Sequence, residues 1–377
     1  MHFKSVGTFA AIAIATSGVS SGETLEDSVK NFLVSNHYNC SIEQIDLKQL
    51  QSGLTGNRIF LCDGFTDKPV IVKEFKKIQD IVSEEKAIRI LKGLSLDQMQ
   101  TVDCIAIQQF QTEQPWGLME QSLAPGESMD QIIEQLGKSE GEERKTRFEK
   151  ICLGDAQVGR GLAELHSHDA GCGYIDNGFI QGDEGAITSI SNGLKNHPDF
   201  TSQISSEDFD SYLTLVSKAH RQNPGMGAFV HGDPQPGNLF LEETVNGDYK
   251  FTIIDNATLV RSLSDNEQGF GSPARDYFYF VERSAELAYY SGVTADEITQ
   301  MTNAFDEAYR LKMGAKFPTD EAMNFYEARI TLGILVKNLN NLKTLDPQSK
   351  EYQKTKGFID FKIEKLKERI QAELSKS

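Results

Sequence analysis

The segment His231-Gly232-Asp233-Pro234-Gln235-Pro236-Gly237-Asn238 constrains this chain more than any other. Phe229-Val230 leads into it and Leu239-Phe240-Leu241 leads out, so it reads as a polar, turn-prone loop between two apolar segments of strand type. A turn at Asn246-Gly247 then returns the chain through Phe251-Thr252-Ile253-Ile254 to Asp255. A hairpin of this kind brings Asp233, Asn238 and Asp255 to one edge. Two carboxylates and an amide oxygen there suit magnesium and phosphate. Phosphoryl transfer needs one carboxylate to orient and deprotonate an incoming hydroxyl, and oxygen ligands to hold the ion that bridges the nucleotide phosphates. Asp233 is then the expected base, Asn238 and Asp255 the metal ligands, and His231 a support that braces the loop through hydrogen bonds.

Upstream, Gly53, Thr55, Gly56 and Asn57 form a glycine-containing turn before the strand-like Ile59-Phe60-Leu61. Small residues and free backbone amides in such a turn can lie close to phosphates. Pro69 to Phe75 is a short apolar strand interrupted by Lys73. Beyond it, Glu84, Ala87, Ile88 and Leu91 fall at helical spacing on one stripe, so Glu84 is the lone carboxylate on an apolar face. Such a carboxylate is costly unless paired, and Lys73 is the expected partner. Glu85 is the alternative if the helix is rotated.

These residues carry a resemblance. His231-Gly232-Asp233, four residues, Asn238 and then Ile253-Ile254-Asp255 resemble the signature of the aminoglycoside phosphotransferase and choline kinase superfamily, a branch of the protein-kinase-like fold. Leu162-Ala163-Glu164-Leu165-His166 resembles the helix that precedes the catalytic loop in such proteins. The resemblance implies a two-lobed α/β (α+β) fold, with a mixed β-sheet amino lobe over about 24–120 and a mainly helical carboxyl lobe over 121–377. It implies ATP and Mg2+ as cofactors and a small-molecule hydroxyl as acceptor, either an amino alcohol, an aminoglycoside or a sugar-like alcohol. Catalysis would fall to Asp233, with Lys73 orienting phosphates and Glu84 bracing it. Gly53, Thr55 and Gly56 would lie at the phosphates, and a lobe connection near Met119 to Gln121 would meet the adenine. Asp276 would be structural, capping its helix or bracing the catalytic loop, while Arg275 would meet phosphate or pair with an acid. Asn256-Ala257-Thr258 follows Asp255 where protein kinases have Phe-Gly, which leaves the ligand chemistry intact but not a protein-kinase-style switch. A noncatalytic nucleotide-binding module and a protein-kinase-like effector are the alternatives.

At 377 residues the chain can bury a substantial core. Its net charge of −17 argues against a phosphate-backbone partner such as nucleic acid and favours a cationic acceptor. Residues 1–22 read as a signal peptide or extension: Lys4, a mildly apolar run from Val6 to Ala15, then small residues suited to cleavage. Export follows from that reading, and a cytoplasmic location from a misread terminus. No stable membrane span is expected. The five cysteines show no metal-ligand spacing, and the spacing of His166 and His168 does not suit a metal site on one helical face. Ala170 to about Ser205, rich in glycine and acids, reads as an elaborated connection. Leu263 to Gly271 reads as a mobile polar segment, and the last third as helical.

Overall fold

The computed structural model describes residues 15–17 (backbone only), 24–37, 40–50, 56–168, 175–245 and 247–376. Its strands in chain order are β1 (Ala15–Ser17), β2 (Asp46–Leu50), β3 (Ile59–Asp63), β4 (Val70–Phe75), β5 (Met99–Thr101), β6 (Cys104–Phe110), β7 (Trp116–Ser122), β8 (Glu127–Ser128), β9 (Leu239–Glu243) and β10 (Tyr249–Ile253). The helices are α1 (Leu25–Asn36), α2 (Ile78–Leu94), α3 (Met129–Lys138), α4 (Gly141–Ser167), α5 (Asn177–Lys195), α6 (Pro198–Thr201), α7 (Ser206–Gln222), α8 (Pro273–Ser291), α9 (Ala295–Met313), α10 (Asp320–Leu342) and α11 (Lys350–Leu374). The chain divides into two compact units, residues 1–93 with 101–124, and 94–100 with 125–377.

The first unit is built on a mixed sheet ordered β1-β6-β7-β4-β3-β2. Alternation along β4 and β7 gives it two different faces. Val70, Val72, Phe60, Cys62 and Leu118 pack on Val29, Phe32 and Leu33 of α1. The capping box of Thr24 and Asp27 starts α1, and at its other end His37 meets the fully buried Glu120 at 2.7 Å. The opposite face carries Lys73, Met119 and Gln121, with Lys73 paired to Met119 and Ile71 to Gln121 across the strands. Helix α2 crosses this face. It packs tightly at Gly117, where a Cβ would fall 2.5 Å from Ile81 Cδ1.

The second unit is mainly helical, with a small sheet ordered β5-β10-β9-β8. Helix α4 seats the β9–β10 hairpin through glycines one heptad apart. A Cβ on Gly154 would lie 2.3 Å from Leu241 Cδ1, and one on Gly161 2.0 Å from Phe251 Cε1. Larger residues there would lift the hairpin off the helix. An aromatic cluster of Tyr277, Phe280, Phe305 and Tyr309 ties α8 to α9. Along α10, Met323, Tyr326, Ile330, Ile334 and Leu339 form an inward stripe that is buried throughout.

The expected division into a mixed-sheet amino part and a helical carboxyl part is what the chain adopts, and two local expectations change. Much of the stretch after residue 170 is helix α5, started by Asp176, whose carboxylate accepts the amides of Gly178 and Phe179. Its buried stripe of Ile180, Asp183, Glu184, Ile187, Ser191 and Leu194 hides its period because two members are acids. Those acids are neutralised by Arg329 and Arg221. The segment from Leu263 to Gly271 is held by bridges pairing Leu263 with Gly269 and Ala228 with Gly271. Cys40, Cys62, Cys104 and Cys152 are free thiols, and Cys172 lies outside the described residues. Among the described residues no helix is long and apolar enough to cross a membrane.

Candidate active site

The residues singled out in the sequence fall in both units. In the second unit, Asn238 ends a helical turn directly before β9, and Leu239 pairs with Ile253 at the same end of the hairpin. The Ile254 amide donates to the Asn238 carbonyl at 3.0 Å, which fixes the approach to Asp255. Asp255 has φ 62° and ψ 52°, a left-handed conformation uncommon for a residue with a side chain. Strain of this kind is held only where surrounding structure enforces it. The Asn238 amide nitrogen donates to the Asp233 carbonyl at 2.9 Å and to the Asp233 carboxylate at 3.3 Å. Spent in this way, the nitrogen leaves the Asn238 Oδ1 as a hard oxygen donor, and Asp255 supplies a carboxylate at the same end. This is the donor chemistry magnesium takes.

Burial pushes the Asp233 carboxyl above its ordinary range. The neighbouring His231 ring, the Tyr279 hydroxyl and the cation of Arg283 offset part of that rise, and Asp255 adds to it. Tyr279 is in turn pushed up to about 12 by burial and by the neighbouring carboxylate. Asp233 is therefore a carboxylate of enhanced basicity, suited to taking a proton.

The loop carrying Asp233 is clamped from behind. The His231 and Gly232 amides donate to the two carboxylate oxygens of Asp276 at 2.6 and 2.8 Å. His166 reaches the same carboxylate at 3.2 Å and the Tyr309 hydroxyl at 2.7 Å. Asp276 is wholly buried. Burial alone would raise its pKa, but the hydrogen bond and charge of His166, with the Gly232 amide, hold it below the ordinary range. The Thr258 hydroxyl donates to the His231 carbonyl at 2.5 Å, and the Ser262 hydroxyl donates to the Val230 carbonyl at 3.1 Å. Gly232 sits at φ 87°, a conformation for which glycine is the default. His231 is fully buried and accepts the Asp233 amide at 3.3 Å. Of the two structural roles open to Asp276, bracing the loop is the one its contacts serve. His166 belongs to this brace.

In the first unit, Lys73 is 9% exposed and lies 5.0 Å from the centroid of the Phe75 ring. Glu84 is fully buried and accepts from Gln121 Nε2 at 3.4 Å. Because Gln121 lies on the Lys73 face of the sheet, Glu84 and not the half-buried Glu85 is the carboxylate α2 turns toward that face. Gly56 has φ 66°, and Gly53 and Thr55 lie outside the described residues. Met119 lies in the middle of β7, fully buried between Lys73 and Ile107 on the neighbouring strands. The chain leaves the sheet only after Ser122, so the expected lobe connection at Met119 to Gln121 moves to the residues that follow. Three residues were missed by sequence reasoning: Tyr279, Arg283 and Thr258. For Tyr279 and Arg283 a signal existed, since Arg275, Tyr279 and Arg283 recur at a spacing of four and share a helix face.

No protein-family model matches the sequence, and no curated protein matches it. Solved structures do match in fold. A thermostable mutant of aminoglycoside phosphotransferase APH(4)-Ia, in ternary complex with ADP and hygromycin B, is 15% identical with a TM-score of 0.54. The match covers 89% of this chain and 98% of that one. A second mutant of that protein, with AMP-PNP and hygromycin B, gives a TM-score of 0.51 at the same identity and coverage. A glucosamine kinase in complex with glucosamine, ADP and inorganic phosphate gives 0.50 at 12% identity, covering 87% of this chain and 84% of that one. The chain thus has a two-lobed protein-kinase-like fold, of the form found in these small-molecule kinases.

Proposed function

We propose that the chain is a small-molecule kinase of the aminoglycoside phosphotransferase and choline kinase superfamily, transferring the γ-phosphoryl group of ATP to a hydroxyl. The observation that carries this reading is the half-buried, proton-seeking carboxylate of Asp233, hydrogen-bonded by Asn238 on a loop whose amides are clamped by Asp276. Asp233 would accept the proton of the acceptor hydroxyl as its oxygen bonds to phosphorus. When bound, ATP with its magnesium ion supplies the electrophilic phosphorus and ADP as the leaving group. Asn238 Oδ1 and the Asp255 carboxylate would hold the metal. Lys73, with Glu84 behind it, would hold nucleotide phosphates and offset negative charge as transfer proceeds. Positioning and electrostatics supply most of the rate in such chemistry, and both need rigid support. The doubly braced loop offers it.

Export directed by residues 1–22 is part of the proposal. Secretion of a reporter fused to that segment tests it, and retention of the reporter argues for a cytoplasmic protein. The activity is tested by incubating the chain with magnesium, γ-labelled ATP and a pooled extract of small polar metabolites. Label in a phosphorylated small molecule supports the reading. ATP binding with no transfer to any acceptor favours the noncatalytic module.

A further inference from the structure

The face of α8 that carries Tyr279 toward Asp233 also carries Arg275 one turn before it, Arg283 one turn after it and Glu286 beyond. Arg283 donates to Gln235 of the catalytic loop at 3.4 Å, so this face lines the approach to Asp233. The charges along it do not cancel. Glu286 is shared by Arg283 and Lys337. Asp183 is taken by Arg329 at 2.6 Å and by the Tyr326 hydroxyl at 2.9 Å.

Arg275 has no carboxylate partner among the described residues. Its guanidinium lies 5.6 Å from the centroid of Phe179, its Nε is buried without a hydrogen bond, and its charge bears on Arg329 and Tyr279. A half-buried guanidinium beside an aromatic ring, with no carboxylate partner among the described residues, is a place where a ligand can supply the anion. Asp233, whose charge bears on Tyr279, and Asp255, whose charge bears on Asp233, are acids that the kinase reading already assigns to proton transfer and metal.

Resting on that reading, we infer that the acceptor carries an anionic group, a carboxylate, phosphate or sulfate, which Arg275 recognises while the acceptor hydroxyl meets Asp233. The chain-wide charge of −17 points the other way, but the local field along α8 is what an acceptor meets. A planar guanidinium matches the geometry of oxyanions.

The test uses the full chain saturated with AMP-PNP and magnesium, with binding of matched hydroxyl compounds followed by ligand-observed NMR. The pairs are L-serine against ethanolamine, D-glycerate against glycerol, and D-glucuronate against D-glucose. The inference expects the anionic member of each pair to be preferred, and Arg275→Gln to weaken its binding at least tenfold while Asp233→Asn retains it. Preference for the neutral or cationic members, no preference, or a preference unchanged in Arg275→Gln overturns it. So does a loss of AMP-PNP affinity in Arg275→Gln, which would give the arginine to the nucleotide. Labelled-ATP transfer is read in parallel. Transfer to neutral or cationic acceptors alone overturns the inference and leaves the kinase reading standing, whereas preferred anion binding without transfer supports it and counts against the kinase.

Discussion

Asp276 and His231 are joined by a 2.6 Å hydrogen bond from the His231 amide to a carboxylate that solvent does not reach. Through this bond and its neighbour from Gly232, a helix fixes the backbone two residues before Asp233. Asp276→Ala would leave two amides and His166 without their acceptor in a buried place. A loss of about 3 kcal/mol is expected in denaturant titration. Because the folded pKa of Asp276 is depressed, its contribution is present above the unfolded carboxylate value and is lost as pH falls through the folded one. Wild type should therefore lose stability in acid, below about pH 4, more steeply than Asp276→Asn.

Asp155 on α4 behaves in the opposite sense. It is fully buried, neither carboxylate oxygen has a hydrogen-bond partner among the described residues, and burial holds its pKa well above the ordinary range. A raised carboxyl pKa means that the folded state keeps a proton the unfolded state releases, so stability declines as pH rises past the unfolded value. Asp155→Asn should remove this slope and be more stable at neutral pH by about 1–3 kcal/mol. Thermal melts from pH 4 to 8 will read both.

Gly161→Ala should displace the Phe251 ring and with it the hairpin that carries Asn238 and Asp255 at its end. Overpacking of this kind costs about 1–3 kcal/mol. Phosphoryl transfer should fall by more than the loss of folded protein explains, as comparison of activity with the folded fraction will show.

Lys73→Met preserves length and removes charge from a buried strand position. A fall of about 10²-fold or more in kcat/KM is expected, beyond any loss of folded protein that follows from leaving the buried Glu84 carboxylate without its expected partner. Glu84→Gln should reproduce part of that fall, since a carboxylate behind the lysine is replaced by an amide.

Raised basicity at Asp233 has a kinetic signature. Transfer needs its carboxylate, so kcat/KM should rise with pH along an acid limb centred above the ordinary value of 3.8. Arg283 lowers that pKa in the wild type, and Arg283→Gln should move the limb to higher pH.

The hairpin that brings Asn238 and Asp255 to one end was legible because its parts lie close together in sequence, from His231 to Asn238 and on to Asp255. The Glu84 register was legible for a related reason, a carboxylate on an otherwise apolar stripe. Helix α5 was not, because Asp183 and Glu184 occupy its buried face and their partners, Arg329 and Arg221, are distant in sequence. The brace through His166 was hidden in the same way, since its partners Tyr309 and Asp276 lie more than a hundred residues away. The end of β7 at Ser122 was not legible, because an apolar strand gives no mark of where it ends. Arg275 was visible as a cation, but only the fold shows that no carboxylate among the described residues pairs with it.

The most direct test of the account is single-turnover phosphoryl transfer by wild type and Asp233→Asn, with nucleotide affinity measured on both. The account predicts a loss of about 10²–10⁴-fold in transfer with nucleotide affinity retained. Equal transfer rates would contradict the assignment of Asp233 as the group that takes the acceptor's proton.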